Sequence, residues 1–147
     1  MPNQNKMKQY LSSKNRFTVV SLWSIAIILL LLLVANLIHE DLKILPITIL
    51  SLVVILILWI LLDTRYVIRD NLLLYRSGPF RGRIDIREIQ KIRRFSGLYV
   101  PVIVKPALDT TGFIISYNNA EDVYVSPQRA ETFIAELLKI NPKIEVI

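Results

Sequence analysis

Two apolar runs without a single charged residue, Phe17 to Ile38 and Ile44 to Leu62, are separated by only five residues, and they limit what this chain can fold into. Each supplies roughly 20 apolar residues, enough at about 1.5 Å per residue to cross a hydrocarbon core of about 30 Å. The second run holds fifteen Leu, Ile and Val residues, broken only by Pro46, Thr48, Ser51 and Trp59. At about −0.3 to −0.6 kcal/mol each, these aliphatic side chains favour insertion by roughly 5 to 9 kcal/mol. Thr48 and Ser51 do not reverse that sign, because a helical hydroxyl bonds back to its own carbonyls. Pro46 falls in the first turn, where a missing N–H costs little. Both runs are too long for core helices of so short a chain, and His39-Glu40-Asp41-Leu42-Lys43 offers no signal-peptide cleavage site.

The flanking charges set an orientation. Lys6, Lys8, Lys14 and Arg16 precede the first run without an acidic residue, the turn at 39–43 carries Glu40 and Asp41 against Lys43, and Arg65 and Arg69 follow the second run. The positive-inside rule then expects a multi-pass protein of a bacterial inner membrane with both termini cytoplasmic and the turn outside. The predicted organisation is a basic tail at 1–16, a first membrane helix at 17–38, a turn at 39–43, a second helix at 44–62 and a cytoplasmic domain at 63–147. The tail is polar and rich in Asn, Gln and Ser, and is expected to be disordered.

From Asp63 the pattern shortens and alternates. Tyr66 and Ile68 share one face while Arg65 and Arg69 share the other, and Asp70-Asn71 leads into Leu72 to Arg76, which is the signature of a β-hairpin. Arg81 to Ile86 resumes the alternation after Ser77-Gly78-Pro79. Ile89 to Phe95 reads as a strand, although Ile86, Ile89 and Ile92 at a spacing of three would also suit a short helix. Gly97 to Lys105 is expected as an edge strand because Pro101 has no place in a central one. Gly112 to Tyr117 and Asp122 to Val125 form a second hairpin around Asn118 to Glu121. Ser126 is expected as N-cap and Pro127 as first residue of a helix with the stripe Ala130, Phe133, Ile134, Leu137 and Leu138, ended by Asn141-Pro142.

Six or seven strands followed by one amphipathic helix give a membrane-anchored α+β chain. In order and spacing, the residues after Asp63 resemble the bacterial pleckstrin-homology-like domains, in particular their YyaB-like group. The resemblance is carried by Thr64, Tyr66, Ile68 and Leu72, by Gly78, and by Ile86-x-x-Ile89-x-x-Ile92. It continues through Pro106-Ala107-Leu108, Tyr117, Ser126-Pro127, Phe133-Ile134-x-x-Leu137 and Asn141-Pro142. Where family members often carry a serine and an Asp-Arg pair, this chain has Asp109 and Thr111-Gly112. The resemblance implies a strongly bent antiparallel sheet or barrel, seven-stranded and capped by the C-terminal helix.

Chemistry is thinly represented. The chain has no cysteine, and its one histidine is His39, so thiolate catalysis, disulfides and histidine-based catalysis in the domain are excluded. Neither a phosphate loop nor a metal-ligand spacing is found, and neither an enzyme nor a cofactor nor a bound metal is expected. Asp109-Thr110-Thr111 reads as an Asx-turn. One charge feature stands out: Arg76, Arg81, Arg83, Arg87, Lys91, Arg93 and Arg94 face only Asp85 and Glu88. These seven are the candidate binding residues, for a protein partner or for anionic headgroups of the inner leaflet. The expected function is a non-enzymatic module for protein–protein interaction or self-association at the membrane surface, with a homo-oligomer or another membrane protein as partner. Anionic-lipid docking is the alternative. Nucleic acid is not expected, since the basic stretch lacks interleaved aromatics.

Overall fold

The computed structural model describes residues 7–38, 44–119 and 121–147. Two helices, α1 (Arg16–Ile38) and α2 (Ile44–Leu62), match the two apolar runs. Both are long and apolar enough to cross a membrane, with only 6% of either apolar window buried by the protein itself. Thr48 and Ser51 donate to the carbonyls of Ile44 and Ile47, as helical hydroxyls in an apolar setting do. The predicted turn at 39–43 lies outside the described residues.

Eight strands occur among the described residues, in two four-stranded sheets. The first sheet runs β1 (Lys8–Leu11), β2 (Thr64–Arg69), β3 (Leu72–Ser77) and β4 (Phe80–Asp85), every pair antiparallel. The β2–β3 turn forms at Asp70, whose φ of 57° is the left-handed conformation that Asp tolerates. The β3–β4 turn forms at Gly78, φ 55°. The second sheet has β5 (Ile89–Ser96), β6 (Thr111–Tyr117), β7 (Glu121–Val125) and β8 (Glu145–Val146), in the order β7-β6-β5-β8. The sheets do not close into a barrel. Ile86–Glu88 forms one 3₁₀ turn at the corner between them, so the isoleucine spacing of three is used there while Ile89 onward is extended.

Between the sheets lies one core, with Tyr66, Leu73, Ile84, Ile92, Ile115 and Val123 almost inaccessible. Helix α3 (Ala130–Ile140) covers its open side through Phe133 and Leu137. Asn141 ends the helix and donates its side-chain amide to the carbonyls of Ile86 and Ile89 at 3.0 and 3.1 Å, tying the helix end to the sheet corner.

Three expectations are corrected. The segment ahead of α1 is not a disordered tail through Arg16. Lys8 to Leu11 pair with β2, and Tyr10 is buried edge-on against Phe133 with ring centroids 5.3 Å apart. A Tyr between two polar stretches gives little sequence signal, but its ring fills the gap that α3 leaves over β2. Ser126 is not an N-cap: α3 starts at Ala130, and Arg129 precedes it without a side-chain cap. Ser126 is instead buried and turned toward Ser12. Finally, Gly97 to Lys105 is not a strand. Pro101 removes a donor, Val102 N bonds to Val100 O, and the chain puckers, retaining a single bridge from Val104 to Val123. Val100 and Val102 still point inward onto Ile114 and Tyr124.

Candidate functional site

Both ends of the helix pair enter the domain without a linker. Asn15 caps α1, accepting from Phe17 N at 2.9 Å through Oδ1, while its Nδ2 donates to Thr110 Oγ1 at 2.7 Å. At the other end Thr64 Oγ1 donates to Ile60 O at 2.7 Å, and Gly78 N donates to Asp63 O at 3.2 Å. The helices and the domain are therefore joined at two short, hydrogen-bonded junctions.

Between those junctions lies a buried polar cluster. The hydroxyls of Ser12 and Ser126 are 3.0 Å apart, Leu108 N donates to Ser12 Oγ at 3.2 Å, and Ser126 N donates to Tyr66 Oη at 3.0 Å. Tyr66 Oη in turn donates to Pro106 O. Burial pushes the Tyr66 phenol above its ordinary value, which keeps the proton needed for that bond. Asp109 Oδ1 accepts from Thr111 N, the Asx-turn that the sequence suggests, and Oδ2 accepts from Ser13 Oγ. These groups satisfy one another, and the cluster fastens the N-terminal segment to the domain.

The seven candidate basic residues are distributed over several surfaces. Arg76 and Arg81 are register partners across β3 and β4, and Arg65 is the partner of Arg76 across β2. Register partners share a face, so Arg65, Arg76 and Arg81 form one row on the outer face of the first sheet. The next row on that face holds Val67, Leu74 and Arg83. Arg87 donates from Nε and Nη2 to the two carboxylate oxygens of Asp85, which holds that carboxyl down at about 2. Lys91 lies 3.7 Å from Glu145. Arg93 and Arg94 are adjacent on β5 and therefore point to opposite faces of the second sheet, Arg94 lining a small cleft with Ser13 and Asp109.

Charge is unevenly committed. Asp63 lies 3.3 Å from Arg65 Nε and 2.6 Å from Arg76 Nε, the latter a close ion pair out of line for a hydrogen bond. Among the described residues, Arg81, Arg83, Arg93 and Arg94 have no acidic partner within ion-pair distance. The row Arg65, Arg76 and Arg81 borders a groove of about 400 Å³ floored by Val67 and Leu74 and closed at one side by Met7 and Gln9 of the β1 segment. Sequence inspection assigned Arg65 to the membrane flank, although counting outward from the Asp70-Asn71 turn already sets it opposite Arg76. An apolar floor with a cationic margin suits an extended acidic segment or a headgroup. No group of three or more His, Asp or Glu that could hold a metal occurs among the described residues.

No curated protein and no solved structure matches the chain. The model of the bacterial PH domain family matches residues 64–141, from the first residue of β2 to the end of α3, and leaves outside it both helices, β1 and β8. Two antiparallel sheets capped by a C-terminal helix over that segment agree with this match, and the chain belongs to the bacterial PH domain family.

Proposed function

We propose that the protein is an integral component of the bacterial inner membrane, crossing twice with both termini cytoplasmic, that works by binding and not by catalysis. Its PH domain presents the groove on the outer face of the first sheet to an acidic, extended protein segment, from a second copy or from another membrane protein. The observation that carries this is the row Arg65, Arg76 and Arg81, with Arg83 beside it, over the apolar floor of Val67 and Leu74. Strand β4 is the last strand of its sheet, so an incoming chain could also extend the ladder there. A seated partner would meet Arg81 and Arg83, whose charges have no acidic partner among the described residues.

Anionic-lipid docking is the second reading, supported by the position of Arg81 next to the β3–β4 turn that packs on the end of α2. A photoreactive residue at Leu74 in the full-length protein, in native membranes, separates the two. Discrete heavier polypeptide products that decline when Arg81 and Arg83 become Gln support the first. Adducts with lipid alone support the second and reject the first.

A further inference from the structure

A second groove, of about 460 Å³, opens beside the end of α2. It is lined by Ile60 of that helix, by Tyr75 and Phe80 of the first sheet, and by Ile103 and Lys105 of the 97–107 loop. Its rim is strongly apolar and bare: Ile103 is 100% exposed and Phe80 64%, with Leu98 at 83% and Tyr99 at 79% further along the same loop. The loop is not loose. Val100 and Val102 are buried beneath it against Ile114 and Tyr124, and Tyr124 N donates to Val104 O at 3.0 Å. A segment anchored from below that still displays its largest aliphatic side chain outward marks an interaction surface.

The level of this rim along α2 points to its occupant. The apolar surface of α2 ends at Leu62, and Asp63 marks the boundary, with Trp59 Nε1 3.4 Å from its carboxylate. Tryptophans of spanning helices gather at that interface. Ile60 lies on the apolar side of Asp63, and its side chain packs against Gly78 of the β3–β4 turn. Phe80 and Ile103 line the same groove as Ile60, which brings them beside the last turn of α2 and close to that boundary. Cations flank them: Arg81 follows Phe80, and Lys105 Nζ lies 5.3 Å over the Tyr99 ring. Apolar side chains at interface depth with basic neighbours are the pattern of a surface that dips into a leaflet.

We infer that Phe80 and Ile103 insert into the acyl–glycerol layer of the leaflet around α2, a third membrane contact that fixes the domain's tilt. This rests on the reading that α1 and α2 span a bilayer, and its occupant is the lipid acyl region, not headgroup charge. The chain has no cysteine, so a single introduced cysteine carries a spin label at one defined place. The full-length protein, reconstituted in phosphatidylcholine vesicles, would be labelled in turn at Ile103→Cys, Phe80→Cys, Ile49→Cys within α2 and Asn119→Cys on the β6–β7 turn. Collision with a water-soluble nickel chelate and with oxygen then reports depth. The expected result is several-fold fewer chelate collisions at positions 103 and 80 than at 119, with oxygen collisions raised as at position 49. Exposure at 103 and 80 equal to that at 119, with 49 protected, would overturn the inference and leave the spanning reading intact. Chelate access at 49 would reject the spanning reading itself. Protection that requires anionic lipid, or that vanishes when protein is diluted in lipid, overturns the inference in favour of charge docking or of contact between copies.

Discussion

The hydroxyls of Ser12 and Ser126 lie 3.0 Å apart across 114 residues of chain and two apolar helices. That contact states the architecture in small: the residues just before α1 and those just before α3 belong to one buried cluster. Tyr66 is its centre. Changing Tyr66 to Phe keeps the ring but leaves Ser126 N–H and Pro106 C=O buried without partners, and is expected to cost about 1–3 kcal/mol. Thermal unfolding of the full-length protein in nanodiscs reads this directly, and an unchanged midpoint would show that the cluster is not a fastener.

Strand β1 is expected to be required for a folded domain. Tyr10→Ala removes a ring packed edge-on against Phe133 and should destabilise by about 3–5 kcal/mol, as large-to-small aromatic changes in cores do. A fragment starting at Asp63 contains the whole family-matched segment yet lacks this strand, exposing the edge of β2. It is expected to aggregate or to be cut rapidly by protease where the full chain resists.

The docking of β1 is pH-sensitive through Lys8 and Glu136, 2.7 Å apart. Hydrogen bonds from Lys8 and then from Lys139 hold the Glu136 carboxyl below its ordinary value of 4.5. A carboxyl depressed in the folded state contributes stability above 4.5, and that contribution is lost as pH falls below 4.5 and through the depressed value. Amide exchange in β1 should therefore accelerate below that pH, and Glu136→Gln should remove the dependence.

Gly78 is expected to resist substitution. Its φ of 55° disfavours any side chain, and an added Cβ would sit 3.0 Å from Ile60 Cγ1. Gly78→Ala should cost about 1–2 kcal/mol from the backbone alone, with the loosening concentrated at the α2 junction. Exchange of the Gly78 and Thr64 amides, compared with that of the α3 amides, distinguishes a local effect from a global one.

Much of the fold was legible in the sequence because it depends on local signals. The two long apolar helices follow from length and absence of charge, the hairpins from alternation around Asp70-Asn71 and Asn118-Asn119, and α3 from the spacing of Phe133, Ile134, Leu137 and Leu138. What was illegible is long-range. Ser12, Ser13 and Asn15 look like the polar filler of a tail, and only their distant partners Ser126, Asp109 and Thr110 show them to be anchors. Ser126-Pro127 carries a sound helix-start signal, but the Ser12 and Tyr66 hydroxyls compete for the serine and the helix begins later. Among the basic residues, composition alone could not separate Arg81 and Arg83, which have no acidic partner among the described residues, from Arg87 and Lys91, which lie beside Asp85 and Glu145. The Arg65 to Arg81 row follows from hairpin register, which the sequence contains. The bare rim of Ile103 and Phe80 does not, since an apolar loop reads equally well as a buried edge.

The pairing of β1 with β2, across the helix pair that separates them in sequence, also sets an order of assembly. Residues 8–11 are synthesised before both helices, yet their partner strand β2 follows α2, and the buried contacts of Tyr10 and Ser12 await Ser126 and Phe133. A strand made before its partners is thus among the last to be satisfied. Closure of the domain requires that α1 and α2 are both complete and that α2 brings the chain back beside the start of α1, where Asn15 and Thr64 tie the two helices into the domain, so completion of the fold reports that the helix pair has formed.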